Sequence, residues 1–274
     1  NLRTRFIPDT GAQLSTKMVR VFDTDNSFAE KIKHELIPKL EYSFIPDTDQ
    51  NHLPQFDTLD RISEQNLLTW SLTNYLISRK SDKLSKNQEV YTYNDFSYIK
   101  LYQSFDINKR KNGDPEPFSD LFFTGRFYPN SNFAINNNFA YSPYDNHFSQ
   151  YSIGGTIRDK RGDILTSEYR YNRDIFESLY SEISLVLKEG PKEYKNKPKK
   201  SLSSESSKDN SDDVLPELTM TYSIEMNLKD NKTLETTTGL MWQKECWSVE
   251  LSRTETKGDV SVGFLINLNN LGSF

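Results

Sequence analysis

The sequence is poor in the residues that soluble enzymes and disulfide scaffolds are built on. It holds one cysteine, Cys246, in 274 residues. A lone thiol makes no intrachain disulfide and no multi-cysteine metal site. Three histidines, His34, His52 and His147, are scattered without HExxH-type spacing. A basic surplus is also missing: 34 Lys and Arg stand against 39 Asp and Glu, for a net charge of −5. That balance argues against strong nucleic-acid binding, which needs a basic surplus or a clear basic patch to neutralise phosphates. No run of about 18 apolar residues occurs, so there is no transmembrane helix, and the mean hydropathy is −0.74. The opening shows no initiator Met and no leader pattern. The chain opens on the polar, strand-like NLRTRFIPDT, which reads as starting mid-pattern within a longer protein.

What the chain does have is aromatics: 17 Phe, 15 Tyr and 3 Trp, 13% of all residues. Disordered chains are poor in these. The dominant signal is period-2 alternation. In LTMTYSIEMNL, Leu218, Met220, Tyr222, Ile224, Met226 and Leu228 point one way, and Thr219, Thr221, Ser223, Glu225 and Asn227 the other. The same rhythm runs through Ile32, Leu36, Leu40, Tyr42 and Phe44, with His34 and Pro38 interrupting, and through Leu68, Trp70, Leu72 and Leu76. It returns in Leu121–Phe127, Phe133–Tyr141, Tyr151–Ile157, Leu165–Tyr171, Leu179–Leu187 and Val260–Leu268.

Turn chemistry separates these runs. DKRGD (159–163) is a tight hairpin signal with Gly162 free to take positive φ, and KDNK (229–232) and TKGD (256–259) are similar. The pattern predicts an all-β chain of about 13 antiparallel strands, many of 9–13 residues. Globular strands run to about 5–6 residues, whereas bilayer-spanning ones need about 9–11. Length, alternation and aromatics at strand ends favour an up-and-down transmembrane β-barrel. A soluble β-sandwich or extended soluble sheet is the competing architecture. Residues 190–213, GPKEYKNKPKKSLSSESSKDNSDD, are too polar to fold and read as a flexible loop. Residues 46–62 are a second long connection. Their Pro, Asp and large apolar anchors predict an ordered loop packed on something.

No active site stands out. Asp47, Asp49 and Asp57 share a loop but lack the remaining ligands and the Gly of a calcium loop. No Gly-rich phosphate loop, nucleophile elbow or Cys–His arrangement is present. The expectation is a protein that is not an enzyme and carries neither metal nor cofactor.

Three stretches carry a family resemblance. In 36–76 a strand ends in Tyr42 and Pro46, followed by Asp49-Gln50, Leu53-Pro54-Gln55-Phe56-Asp57 and Asp60-Arg61-Ile62. In 159–174, Arg161-Gly162-Asp163 precedes Tyr169-Arg170-Tyr171, and in 239–274 Cys246-Trp247 precedes the last strand. Together these resemble the C-terminal barrel of the LPS-assembly protein LptD family, also called the organic solvent tolerance protein.

The resemblance implies that residues 1–274 form the C-terminal half of a larger outer-membrane barrel. That barrel would assemble lipopolysaccharide into the outer leaflet of a Gram-negative cell. It implies an LptE-like lipoprotein plug, a periplasmic Lpt bridge reached through an N-terminal domain not in this chain, and the barrel-insertion machinery as partners. The last strand, about Asp259 to Leu268 with Val260, Val262, Phe264, Ile266 and Leu268, would form one side of a lateral seam where lipid leaves. Phe264 to Phe274 would be the assembly signal. Cys246 would be a disulfide candidate toward the absent N-terminal part, although the family's paired cysteines are Glu245-Cys246 here. The alternatives are another outer-membrane channel or porin-like barrel, a barrel hydrolase acting on lipid, and a soluble carbohydrate-binding sandwich.

Overall fold

The computed structural model describes residues 6–24, 28–50, 61–85, 88–189, 216–244 and 246–268. The strands are β1 (Thr10–Ser15), β2 (Met18–Asp23), β3 (Lys31–Ile45), β4 (Gln65–Ser85), β5 (Gln88–Asp106), β6 (Leu121–Asn130), β7 (Phe133–Ser142), β8 (His147–Arg158), β9 (Ile164–Asn172), β10 (Phe176–Glu189), β11 (Pro216–Asn227), β12 (Lys232–Gln243), β13 (Trp247–Thr256) and β14 (Asp259–Leu268). One short helix, α1 (Ile107–Lys111), follows β5. Its first turn is capped by Asp106, whose side chain accepts the Lys109 N–H.

All 14 strands lie in one antiparallel up-and-down sheet, each from β3 onward paired with its sequence neighbours. β1 and β2 share the outer flank of β3. The reason is Pro38. Lacking an N–H, proline weakens a ladder from inside a strand. Opposite it, the neighbouring chain breaks between Ser15 and Met18, and the Pro38 carbonyl accepts the Thr16 N–H at 3.2 Å. The sheet is not closed: the outer edges of β1, β2 and β14 pair with no strand among the described residues.

The register sorts side chains as the alternation predicts, since directly opposed residues share a face. One face carries the row Leu72, Leu101, Phe123, Phe139, Tyr151, Tyr171 across β4 to β9. It continues as Leu185, Met220, Leu240, Leu251, Phe264 across β10 to β14. The other face carries rows such as Glu182, Ser223, Thr237, Thr254, Ser261. Hydroxyl pairs tie this polar face across strands, as in Thr237–Thr254 at 3.0 Å and Thr69–Ser104 at 2.7 Å.

Among the described residues no second layer covers the apolar face. Among the described residues the buried hydrophobics are Ala29, Phe96, Ala140 and Val186. Leu251 is 50% exposed and Phe264 66%. A sheet that folded in water would bury one face against a partner layer. This one leaves its whole apolar side open, as a membrane-barrel wall does. Aromatic contacts such as the stacked Phe123–Phe139 pair, with centroids 4.6 Å apart, run along that open side.

Candidate functional site

The last strand is where the alternation placed it, β14 at Asp259–Leu268. Val260, Val262, Phe264, Ile266 and Leu268 stand together on the apolar face and are exposed. β13 covers one edge through ten register pairs, and the other edge is open among the described residues. Phe274 lies outside the described residues.

The loop motif becomes legible at its two ends. Asp49 is exposed, whereas Gln50 is buried. The Gln50 amide donates to the Ile62 carbonyl at 2.7 Å and accepts the Ile62 N–H at 3.2 Å. The Arg61 guanidinium donates to the Gln50 carbonyl. So Asp-Gln and Arg-Ile are the halves of a clamp, closed across the intervening chain. Leu53, Pro54, Phe56 and Asp57 lie outside the described residues. Next to the clamp a chain of amides links three elements. Tyr42 donates to Asn66 at 3.0 Å, Asn66 to Asn108 at 2.9 Å and Asn108 to Glu64 at 2.7 Å. The Tyr of the motif thereby joins β3 to β4 and α1.

The Arg161-Gly162-Asp163 turn is also a built object. Gly162 takes φ +98°. The Asp159 carboxylate accepts the N–H groups of Arg161, Gly162 and Asp163 at 2.8, 2.9 and 2.9 Å. Asp163 pairs with Arg161, whose Nε donates at 2.9 Å, and reaches over to accept the Val186 N–H at 2.7 Å. β9 has run out at that point, because its last pair with β10 is Ile164–Ser184. The carboxylate thus stands in for the missing strand. The Val186 N–H first, and the Arg161 guanidinium second, hold the Asp163 carboxyl below its ordinary value. Arg161 is raised in turn by the same ion pair. Farther along β9, Arg170 on the polar face pairs with Glu168 at 2.8 Å and approaches Glu225 at 3.9 Å.

Cys246 is an exposed free thiol in the turn between β12 and β13. The turn is pinned from below. Glu217 at the start of β11 is buried, with Lys188 at 2.8 Å and Lys244 also hydrogen-bonded to it. The Lys244 N–H donates to the Trp247 carbonyl at 2.8 Å, and Trp242 and Trp247 meet edge to face at 5.5 Å. Glu189 and Pro216 are register partners at this end, so residues 190–213, themselves outside the described residues, connect strands on the Cys246 side of the sheet. Nothing in the sequence marked Glu217; only the register brings two lysines, 56 positions apart, onto one carboxylate. Among the described residues, no three His, Cys, Asp or Glu side chains gather as a metal site.

The family model described as "LptD: LPS transport system D" matches residues 2–193. That stretch contains both the Gln50–Ile62 clamp and the Asp163 turn; residues 239–274 lie beyond it. The LPS-assembly protein LptD of Neisseria meningitidis serogroup A / serotype 4A (strain DSM 15465 / Z2491) is 25% identical over 175 residues, covering 56% of this chain and 21% of that protein. LPS-assembly protein LptD of Neisseria gonorrhoeae (strain ATCC 700825 / FA 1090) is 25% identical with the same coverage. The similarity therefore spans about a fifth of the length of these relatives. With a family match over most of its length, and an up-and-down antiparallel sheet that is apolar on one side, this chain belongs to the LptD family.

Proposed function

We propose that this chain is a wall segment of a Gram-negative outer-membrane β-barrel that assembles lipopolysaccharide into the outer leaflet. The observation that carries the reading is the two-faced, single-layer sheet. Its exposed apolar face suits lipid, and its Ser-, Thr- and Asn-rich face suits a water-filled lumen through which saccharide passes. Family membership and relatives named LPS-assembly protein supply the substrate class.

On this reading residues 1–274 are one part of the barrel and the remaining wall comes from chain outside this sequence. The open edge of β14 would meet a strand of that outside portion, and their junction would be the lateral seam by which lipid leaves. Phe264 to Phe274 would be the signal read by the barrel-insertion machinery. Cys246 would bridge to the N-terminal part, placing its turn and residues 190–213 in the periplasm and the Gln50 clamp at the cell surface. An LptE-like lipoprotein would plug part of the lumen, leaving the rest of the polar face open to saccharide. Energy would come from the periplasmic Lpt bridge, so the barrel wall would need no catalytic group or cofactor.

The test is depletion of the protein that carries this chain, followed by measurement of lipopolysaccharide at the cell surface. Loss of surface lipopolysaccharide is expected. Normal surface lipopolysaccharide after depletion contradicts the reading and leaves a barrel of another kind, such as a porin-like channel.

A further inference from the structure

The polar face is not uniform. Across β5 to β9 it sinks into a depression of about 390 Å³, within the range of about 300–1,000 Å³ of small-ligand sites. Its floor is made of small residues. Thr124 and Ser152 line it, and Ser152 lies between Asn138 and Arg170 in register. One wall is the parallel-stacked pair Tyr102 and Phe122, with centroids 4.8 Å apart and planes at 12°. The other wall includes Glu168 and Arg170, which neutralise each other.

Two features give the depression a chemistry. The first is a pair of amides, Asn138 and Gln150, which line it and are exposed. Neither side chain has a hydrogen-bond partner among the described residues. Each offers two donors and an acceptor to a ligand. The second is a pair of cations beside it on the same face: Lys100 is the register partner of Thr124, which lines the depression, and Arg126 is two positions along the strand from Thr124. Lys100 sits over the Tyr102 ring at 5.1 Å, and Arg126, one strand over, lies 5.9 Å from the Tyr98 ring. Among the described residues neither has a carboxylate within ion-pairing distance. In a chain of net charge −5, two uncompensated cations beside an aromatic wall and free amides are a local reversal of sign.

We infer that this depression is a contact site for a phosphorylated saccharide. Flat aromatic faces take the apolar face of a sugar ring, planar amides pair with vicinal hydroxyls, and Lys100 and Arg126 meet the anionic group. The inference rests on the proposed function, which supplies such a ligand in the polar part of lipopolysaccharide. It adds the place on the wall where that part touches.

The test uses the complete protein that carries this chain, in cells. A photo-cross-linking amino acid replaces Gln150, Asn138 or, as the control on the polar face away from the depression, Ser252. After irradiation, folded barrel is isolated and probed for attached lipopolysaccharide. Several-fold more cross-linking at Gln150 and Asn138 than at Ser252 is expected, and Lys100→Ala with Arg126→Ala should lower the Gln150 signal severalfold while folded barrel persists. Equal signals at all three positions, a signal from Gln150 to protein alone, or no effect of removing the cations each overturn the inference. Depletion separates the two failures. If depletion abolishes surface lipopolysaccharide while Gln150 stays silent, the site is wrong and the function stands.

Discussion

The carboxylate of Asp163 accepts the backbone N–H of Val186, 23 residues away, at 2.7 Å. A side chain in the β8–β9 turn thereby extends the ladder of β10 beyond the end of β9. It also sets a pH dependence. Because the folded-state value of Asp163 is lowered, its contribution is fully present above the ordinary carboxylate range and is lost as pH falls through the lowered value. Asp163→Asn should lower the thermal stability of the folded barrel at neutral pH and flatten the acid limb of its stability profile. Thermal unfolding in detergent between neutral and strongly acidic pH, read by the gel shift of heated against unheated protein, checks this. An unchanged acid limb contradicts the assignment.

Gln50 closes its loop with two hydrogen bonds to one residue, Ile62. Gln50→Ala removes both and leaves backbone groups unpaired, at a cost of about 1–3 kcal/mol. The expected outcome is a folded barrel with faster proteolysis between 50 and 62. Gln50→Glu keeps the acceptor for the Ile62 N–H but places an acceptor against the Ile62 carbonyl, so it should behave like the alanine variant. Limited proteolysis of the folded protein reads both.

Glu217 holds two lysines. In Glu217→Ala, Lys188 and Lys244 keep their charges and lose the shared anion, which frees the β12–β13 turn. Cys246 is already exposed, so the measure, made after mild reduction of any bridge at Cys246, is its rate of modification by a maleimide in folded barrel. A faster rate in the variant is expected, and an equal rate contradicts the anchoring role.

Much of the wall could be read from period-2 alternation. LTMTYSIEMNL became β11 with its two faces as expected, and Val260–Leu268 became β14. β5 is where the pattern fails. Its apolar face holds Ile99, Leu101 and Phe105, but its polar face holds Tyr98 and Tyr102, so aromatics on both sides erase the alternation. That same feature hides the saccharide depression, because its residues come from strands that only the register aligns. The loop and turn motifs were visible as words, Asp-Gln, Arg-Ile and Arg-Gly-Asp. Their meaning was not, since each works through a backbone group elsewhere: Gln50 on Ile62, Asp163 on Val186. Pro38 looked like an interruption of β3 and instead interrupts its neighbour.

The two faces differ in what they tolerate. Leu251 and Ser252 are adjacent in β13 and point oppositely. Leu251→Lys near mid-strand should cost about 2–4 kcal/mol if that face meets lipid, with a marked loss of folded barrel in the outer membrane. Ser252→Lys should leave the folded amount nearly unchanged.

The most direct measurement is a single-cysteine scan along β13 in the complete protein, with Cys246 and every other native cysteine replaced by Ser as background. Residues 249 to 252 and 254 are replaced one at a time and treated in intact membranes with a water-soluble maleimide. The account predicts alternating reactivity, with Glu250, Ser252 and Thr254 positions labelled and Val249 and Leu251 positions protected. Uniform labelling along the strand, or protection of the polar set, would contradict a barrel wall with its apolar side in the bilayer.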